Sequence, residues 1–248
     1  DTAMYQAKAS GRNAYSFFTK EMNDIMLRRF EIEGQLNSAL ERGEFAVYYQ
    51  PKINIRTGNV VGAEALIRWR NPILGNVTPD EFIPIAEHTG LIVSIGKYVI
   101  EQALGFLSEW QDDHQENYTM AVNLSPRQFR DKGLMDFIKK SLDGADIKPG
   151  DLEFEITEGV LMIGKSYIDA ALHELHTLGV KLSMDDFGTG YSSLSYLRKY
   201  AFEVLKIDRS FVSGITLKKS DCDLVKATIA MAHSLGLCVV AEGVETRE

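Results

Sequence analysis

The chain has 248 residues, of which 45% are hydrophobic and 25% charged, and its formal charge is −8. That composition excludes wholesale disorder, and the acidic balance excludes broad electrostatic capture of a nucleic-acid polymer, which needs a basic face. A small anionic ligand is compatible with it where cations or a few basic side chains receive the charge. The length admits one or two domains, or a single barrel.

Residues 1–19 read as the tail of a separate unit: a short helix over Ala3–Ser10 stopped at Gly11, then an aromatic edge strand over Ala14–Phe18. Residues 20–43 read as a connector, an amphipathic helix with Met22, Ile25, Met26, Phe30, Ile32, Leu36 and Leu40 mostly on one side. From residue 44 to 248 short apolar runs alternate with helical stretches. The runs are Phe45–Tyr49, Val60–Trp69, Met120–Leu124, Leu152–Ile156, Lys181–Met184, Val204–Ile207 and Leu237–Ala241. Thr78-Pro79-Asp80-Glu81 is a capping box with proline at the first helical position. Ser125-Pro126-Arg127-Gln128 repeats the device, and a helix from about Lys165 to Leu178 stops at Gly179. Strand and helix alternating this often predict a parallel sheet covered by helices.

Two cysteines, Cys222 and Cys238, form no CxxC and no disulfide framework, and no signal peptide is visible, so a cytoplasmic setting is expected. The uncharged stretch Ala227–Ala241 is too short to cross a bilayer and reads as a helix, a glycine stop and a strand. No membrane contact is expected from this segment. The chain begins with Asp1 rather than Met, so a longer parent protein is expected.

Six strands carry a polar group at or near their C-terminal ends, where (β/α) barrels place their chemistry. A doubly wound sheet concentrates ligands at one switch point instead. The groups are Glu64, Asn123, Glu155, the pair Asp185-Asp186, Lys206 and Glu242. With the strand ends level, five carboxylates, one amide and one amine converge. Burying those carboxylates together is costly, and Lys206 alone cannot balance them. Divalent cations can, and all-oxygen ligands suit Mg²⁺ or Mn²⁺. Consecutive strand residues face opposite ways. Asp185 and Asp186 are therefore expected to share one site only if the strand breaks at Phe187-Gly188-Thr189-Gly190. A shared aspartate suits a two-metal site that activates water toward a phosphodiester. Lys206 then orients or deprotonates that water, or stabilises the transition state; it is also compatible with a Schiff-base lysine in a barrel aldolase. Arg68 lies on the same strand face as Glu64 and is a candidate phosphate contact. His173-Glu174-Leu175-His176 lacks one spacer residue of a zinc-protease motif and reads as a solvated helix face.

The residues from about 30 to the end resemble the EAL family of bacterial cyclic di-GMP phosphodiesterases. The resemblance rests on Glu64-Ala65-Leu66 with Ile67-Arg68-Trp69, Asn123-Leu124-Ser125 and Glu155-Ile156-Thr157-Glu158. It rests equally on Asp185-Asp186-Phe187-Gly188-Thr189-Gly190-Tyr191-Ser192-Ser193-Leu194, Lys206-Ile207-Asp208 and Glu242-Gly243-Val244-Glu245. Residues 1–18 resemble the end of a GGDEF diguanylate cyclase domain. The resemblance implies a modified TIM barrel, (β/α)8, that hydrolyses cyclic di-GMP to linear pGpG with two divalent cations, Mg²⁺ or Mn²⁺. It implies metal ligation by Glu64, Asn123, Glu155, Asp185 and Asp186, with Glu242 a ligand or the base and Lys206 at the attacking water. Glu158 anchors the loop Phe187–Leu194, which couples dimerisation to metal binding, and Gln50 and Arg68 touch the nucleotide. A homodimer and upstream GGDEF and sensory domains are implied partners. The rival expectation is a receptor that binds cyclic di-GMP without cutting it. The family barrel continues past the Glu242 strand, so this stretch is expected to lack the last strand and helix. Asn71, where many members carry histidine, is expected to matter little.

Overall fold

The computed structural model describes residues 20–188, 194–216 and 218–244. The predicted elements at residues 1–19 therefore lie outside the described residues. The chain divides into two compact units, one of residues 1–46 and 67–95, the other of residues 47–66 and 96–248.

In the first unit the helix Lys20–Leu36 buries Ile32 and Leu36. It ends earlier than its amphipathic pattern predicts, and past its end the Arg42 guanidinium turns back to donate to the Gln35 carbonyl at 2.7 Å. The end of strand β2 (Val60–Asn71) pairs antiparallel with β3 (Gly75–Val77). Asn71 is buried, and its Oδ1 closes the turn by accepting from the Ile73 and Leu74 amides. The helix Pro79–Thr89 begins at the predicted box: the Glu81 carboxylate accepts from the Thr78 amide at 3.1 Å. Phe45, Trp69 and Phe82 form the aromatic core of this unit, with ring centroids 5.6–5.8 Å apart.

The second unit is the α/β sheet that the spacing predicts. Strands β4 (Thr119–Asn123), β5 (Leu152–Thr157), β6 (Lys181–Phe187), β7 (Val204–Ile207) and β8 (Cys238–Ala241) follow β2 in that order, all parallel. Strand β1 (Phe45–Ile53) lies beyond β2 at the opposite end of the order from β8. Among the described residues β1 and β8 do not pair, so the sheet is an incomplete TIM-like barrel sheet. Helices Leu134–Ala145, Ser166–Leu178 and Lys219–Ser234 join successive strands. Gly179 stops the second of these in the left-handed conformation, φ 88°, as predicted. The helix expected after Ser125-Pro126 is instead a short 3₁₀ turn, Gln128–Arg130. There the buried Gln128 side chain accepts from the Ser125 amide, and the regular helix starts only at Leu134.

Register decides which side chains share a face. Glu64 pairs with Ala121, Asn123 with Glu155, Glu155 with Ser183 and Lys206 with Val240. With a side-chain period of two, Glu64, Asn123, Glu155, Asp185, Lys206 and Glu242 fall on one face of the sheet. The alternate residues Leu152, Phe154, Ile156, Leu182, Met184, Leu205 and Ile207 are apolar and buried on the other face. Close strand approach requires a glycine at Gly62, where a Cβ would lie 2.3 Å from the Thr119 carbonyl oxygen.

Candidate functional site

The polar face converges on Lys206, which is 1% exposed. Its ammonium lies 2.5 Å from Glu155 Oε2, 2.6 Å from Glu242 Oε1, 3.2 Å from Asp185 Oδ1 and 3.3 Å from Glu64 Oε2. Asn123 Nδ2 donates to the other oxygen of Glu64 at 2.8 Å. The Glu242 amide donates to the Ile207 carbonyl, continuing the β7–β8 ladder and holding the glutamate level with the cluster.

Asp186 reaches the same place by a route the alternation rule does not provide. β6 does not stop after Asp185; it runs on to Phe187, which pairs with Ile207. The register shifts between Met184 and Phe187, and Asp186 takes a left-handed φ of 55°. This bulge corrects the expectation of a strand break at Phe187–Gly190: the extra residue turns both carboxylates to one side. Asp185 Oδ1 accepts from the Asp186 amide at 2.9 Å. Oxygens of Asp185, Asp186 and Glu242 lie within 4.8 Å of one another, a spacing that fits a shared cation.

Two further side chains belong to this interior and escape the strand-end reading. Lys52 on β1 donates to Glu153 Oε1 at 2.9 Å and to Glu155 Oε1 at 3.0 Å. Each oxygen of Glu155 thus faces a different ammonium. The signal was present in the period of two: Glu153 is two residues before Glu155, and Lys52 two residues after Gln50. Gln50 itself is exposed on β1. Arg68 belongs to the first unit, where its guanidinium donates to the Ile67 carbonyl. Glu158 is buried at the start of the short helix Glu158–Met162. Residues 189–193 of the loop it is expected to anchor lie outside the described residues. His173, Glu174 and His176 are exposed, and Glu174 pairs with Lys139, as a solvated helix face requires.

Crowded negative charge shapes the protonation of the cluster. Burial pushes the Glu155 carboxyl up to about 8; Lys52 and Lys206 oppose the rise, and Glu64 and Asp185 add to it. Burial also raises Asp186, with Asp185 and Asp208 adding to the rise, and raises Glu242 against the pull of Lys206. For Lys206 burial disfavours the ammonium, but Glu155, Asp185 and Glu64 outweigh it and hold its pKa above the ordinary lysine value. Lys52 is raised in the same way by Glu155 and Glu153. A Schiff-base lysine needs a depressed pKa, so this environment argues against the aldolase reading. The donor set is all oxygen and carries surplus negative charge, which fits hard divalent cations.

A family model described as the EAL domain matches residues 33–248. The chain belongs to the EAL domain family. It is 42% identical over 246 residues to the bifunctional diguanylate cyclase/cyclic di-GMP phosphodiesterase MucR of Pseudomonas aeruginosa, covering 99% of this chain and 36% of that protein. It is 38% identical over 246 residues to the cyclic di-GMP phosphodiesterase PdeR of Escherichia coli, covering 99% of this chain and 37% of the relative. The chain therefore spans about a third of the length of these curated relatives. Among solved structures, the PaMucR phosphodiesterase in complex with c-di-GMP is 41% identical, with a TM-score of 0.81, and the match covers 88% of each chain. Among the described residues of this EAL chain, no helix is long and apolar enough to cross a membrane.

Proposed function

We propose that this chain hydrolyses cyclic di-GMP to linear 5′-pGpG. The observation that carries the reading is the convergence of Glu64, Asn123, Glu155, Asp185, Asp186 and Glu242 around Lys206 on one face of the sheet. The names of the EAL relatives point the same way. Those six residues hold two divalent cations, Mg²⁺ or Mn²⁺. Bound cations supply Lewis acidity: they ease deprotonation of a water and offset charge on the transferring phosphoryl.

The chain's own groups do the rest. A new bond forms between the water oxygen and phosphorus, and the bond from phosphorus to the 3′-oxygen breaks, leaving a 5′-phosphate and a 3′-hydroxyl. Glu242, its carboxyl raised by burial, accepts one proton of the water, and the departing 3′-oxygen takes a proton from solvent to become the hydroxyl. Lys206 serves as a fixed cation and donor to the phosphoryl rather than as the base, because its neighbours favour the ammonium. Arg68 and Gln50 contact the nucleotide, and Glu158 anchors the loop Phe187–Leu194, which links a homodimer to the metal site. Upstream GGDEF and sensory domains and a cytoplasmic setting complete the proposal. The test is hydrolysis of cyclic di-GMP by the purified chain with Mn²⁺ or Mg²⁺ and with chelator, following pGpG. Metal-dependent pGpG is expected. Tight binding of cyclic di-GMP without product under every metal condition overturns the enzyme in favour of a receptor.

A further inference from the structure

Among the described residues, Lys52 makes two ion pairs in the interior of the sheet that the proposed chemistry does not use. Lys52 bridges Glu153 and Glu155 at 2.9 and 3.0 Å from a strand otherwise outside the cluster. It occupies Oε1 of Glu155 and leaves Oε2 facing Lys206 at 2.5 Å. The Glu155 side chain is fully buried and that of Glu153 nearly so, so neither charge is offset by water.

We infer that Lys52 is a positioning residue that fixes the orientation of Glu155 and sets the net charge the site presents to its cations. The inference rests on the two-cation reading proposed above. With every carboxyl ionised, Glu64, Glu153, Glu155, Asp185, Asp186 and Glu242 contribute six negative charges, and Lys52 and Lys206 two positive ones. Four negative charges remain among these eight residues, and Asp208 and Glu158 near Asp186 add to them. Without Lys52 the interior carries one more, and Glu155 loses the contact that holds its carboxylate plane. Glu153 is tied to the cluster through Lys52: its Oε1 is 2.9 Å from that ammonium. A purely structural ion pair would stabilise the fold and leave the affinity for cations unchanged.

The discriminating measurement is Mn²⁺ binding without substrate, followed by the electron paramagnetic resonance signal of free Mn²⁺. Lys52→Met is expected to bind Mn²⁺ about tenfold more tightly, since a buried positive charge is gone. Glu153→Gln is expected to bind about tenfold more weakly, because Lys52 is then less fully offset. Lys52→Arg and the double variant Lys52→Met/Glu153→Gln keep the net charge and are expected to stay within about threefold of the parent. Turnover of Lys52→Met falls about tenfold with KM for cyclic di-GMP little changed, since Glu155 is loosened and the nucleotide contacts are intact. An Mn²⁺ affinity that is equal across the series, absent in the parent chain, or shifted in the same direction by Lys52→Met and Glu153→Gln overturns the inference. If Lys52→Met does not fold, Glu153→Gln and the double variant carry the test. A parent chain that binds Mn²⁺ with the expected series but yields no pGpG sinks the phosphodiesterase reading alone. Hydrolysis with a flat series sinks only the role of Lys52.

Discussion

Two carboxylates illustrate opposite uses of burial in this molecule. Glu44, in the first unit, has a side chain only 7% exposed. It accepts from Trp69 Nε1 at 2.9 Å, from Asn71 Nδ2 at 2.9 Å and from the Arg42 guanidinium. Burial works to raise its pKa, but those donors together outweigh it and hold the carboxyl below its ordinary value. Glu155, in the second unit, faces two ammonium groups, yet burial and the neighbouring acids push it up to about 8. The first carboxylate has donors enough for one charge and stitches a hairpin to an aromatic core. The second sits among more negative charge than its cations balance. For Glu44 the donors outweigh the cost of burial, whereas for Glu155 burial, with the neighbouring acids adding to it, outweighs the two ammonium groups.

The largest test of that contrast is Lys206→Met. It strips the shared ammonium from four carboxylates. We expect turnover to fall on the order of 10³-fold and stability to fall by roughly 3–5 kcal/mol, measured by pGpG release and urea unfolding. Glu64→Ala should abolish turnover likewise, and full activity in either variant would sink the assigned roles. Glu44→Gln should do the reverse, costing roughly 1–3 kcal/mol of stability while turnover stays within about twofold. A large loss of activity with unchanged stability there would erase the distinction between the two carboxylates.

The same contrast predicts opposite pH slopes. A raised carboxyl binds more protons folded than unfolded, so its contribution is complete below the ordinary value of 4.5 and is lost as pH rises toward about 8. Glu242 and Asp186 act in the same direction. Glu44, with its lowered pKa, contributes above the ordinary carboxylate value and loses that contribution on the acid side. Metal-free protein should therefore lose a few degrees of Tm between about pH 5 and pH 8, and Mn²⁺ should flatten the slope by replacing the protons. A Tm that rises across that window without metal would contradict the assignment of surplus charge to the Glu155 cluster. The smallest expected effect is Arg68→Ala. It should raise KM for cyclic di-GMP about fivefold, with kcat and Tm little changed.

Much of this was legible in the residues. The strands from Phe45 to Ala241, apart from the short β3, follow from apolar runs between helical stretches, and the functional face follows from counting by two along each strand. The strand-end rule missed Glu153 because it lies two residues before Glu155, and it missed Lys52 because a lysine on a strand carries no local mark of burial. It misread the approach to Asp186 because alternation describes regular strands, whereas the bulge depends on how β6 pairs with β7. Ser125-Pro126 pointed to a helix start; the Gln128 side chain does accept from the Ser125 amide, but the turn it caps is the 3₁₀ turn Gln128–Arg130 and the regular helix begins at Leu134.

The sequence by itself determined the order of the parallel strands, the face that carries the acids, and the family, because periodicity and motif order are local properties of a chain. The tertiary structure alone decided that Asp185 and Asp186 point together, that Lys52 pairs with one oxygen of Glu155 while Lys206 faces the other, and that burial raises Glu155, Asp186 and Glu242. Those properties depend on neighbours from distant strands and on the loss of water around them, and residue spacing records neither.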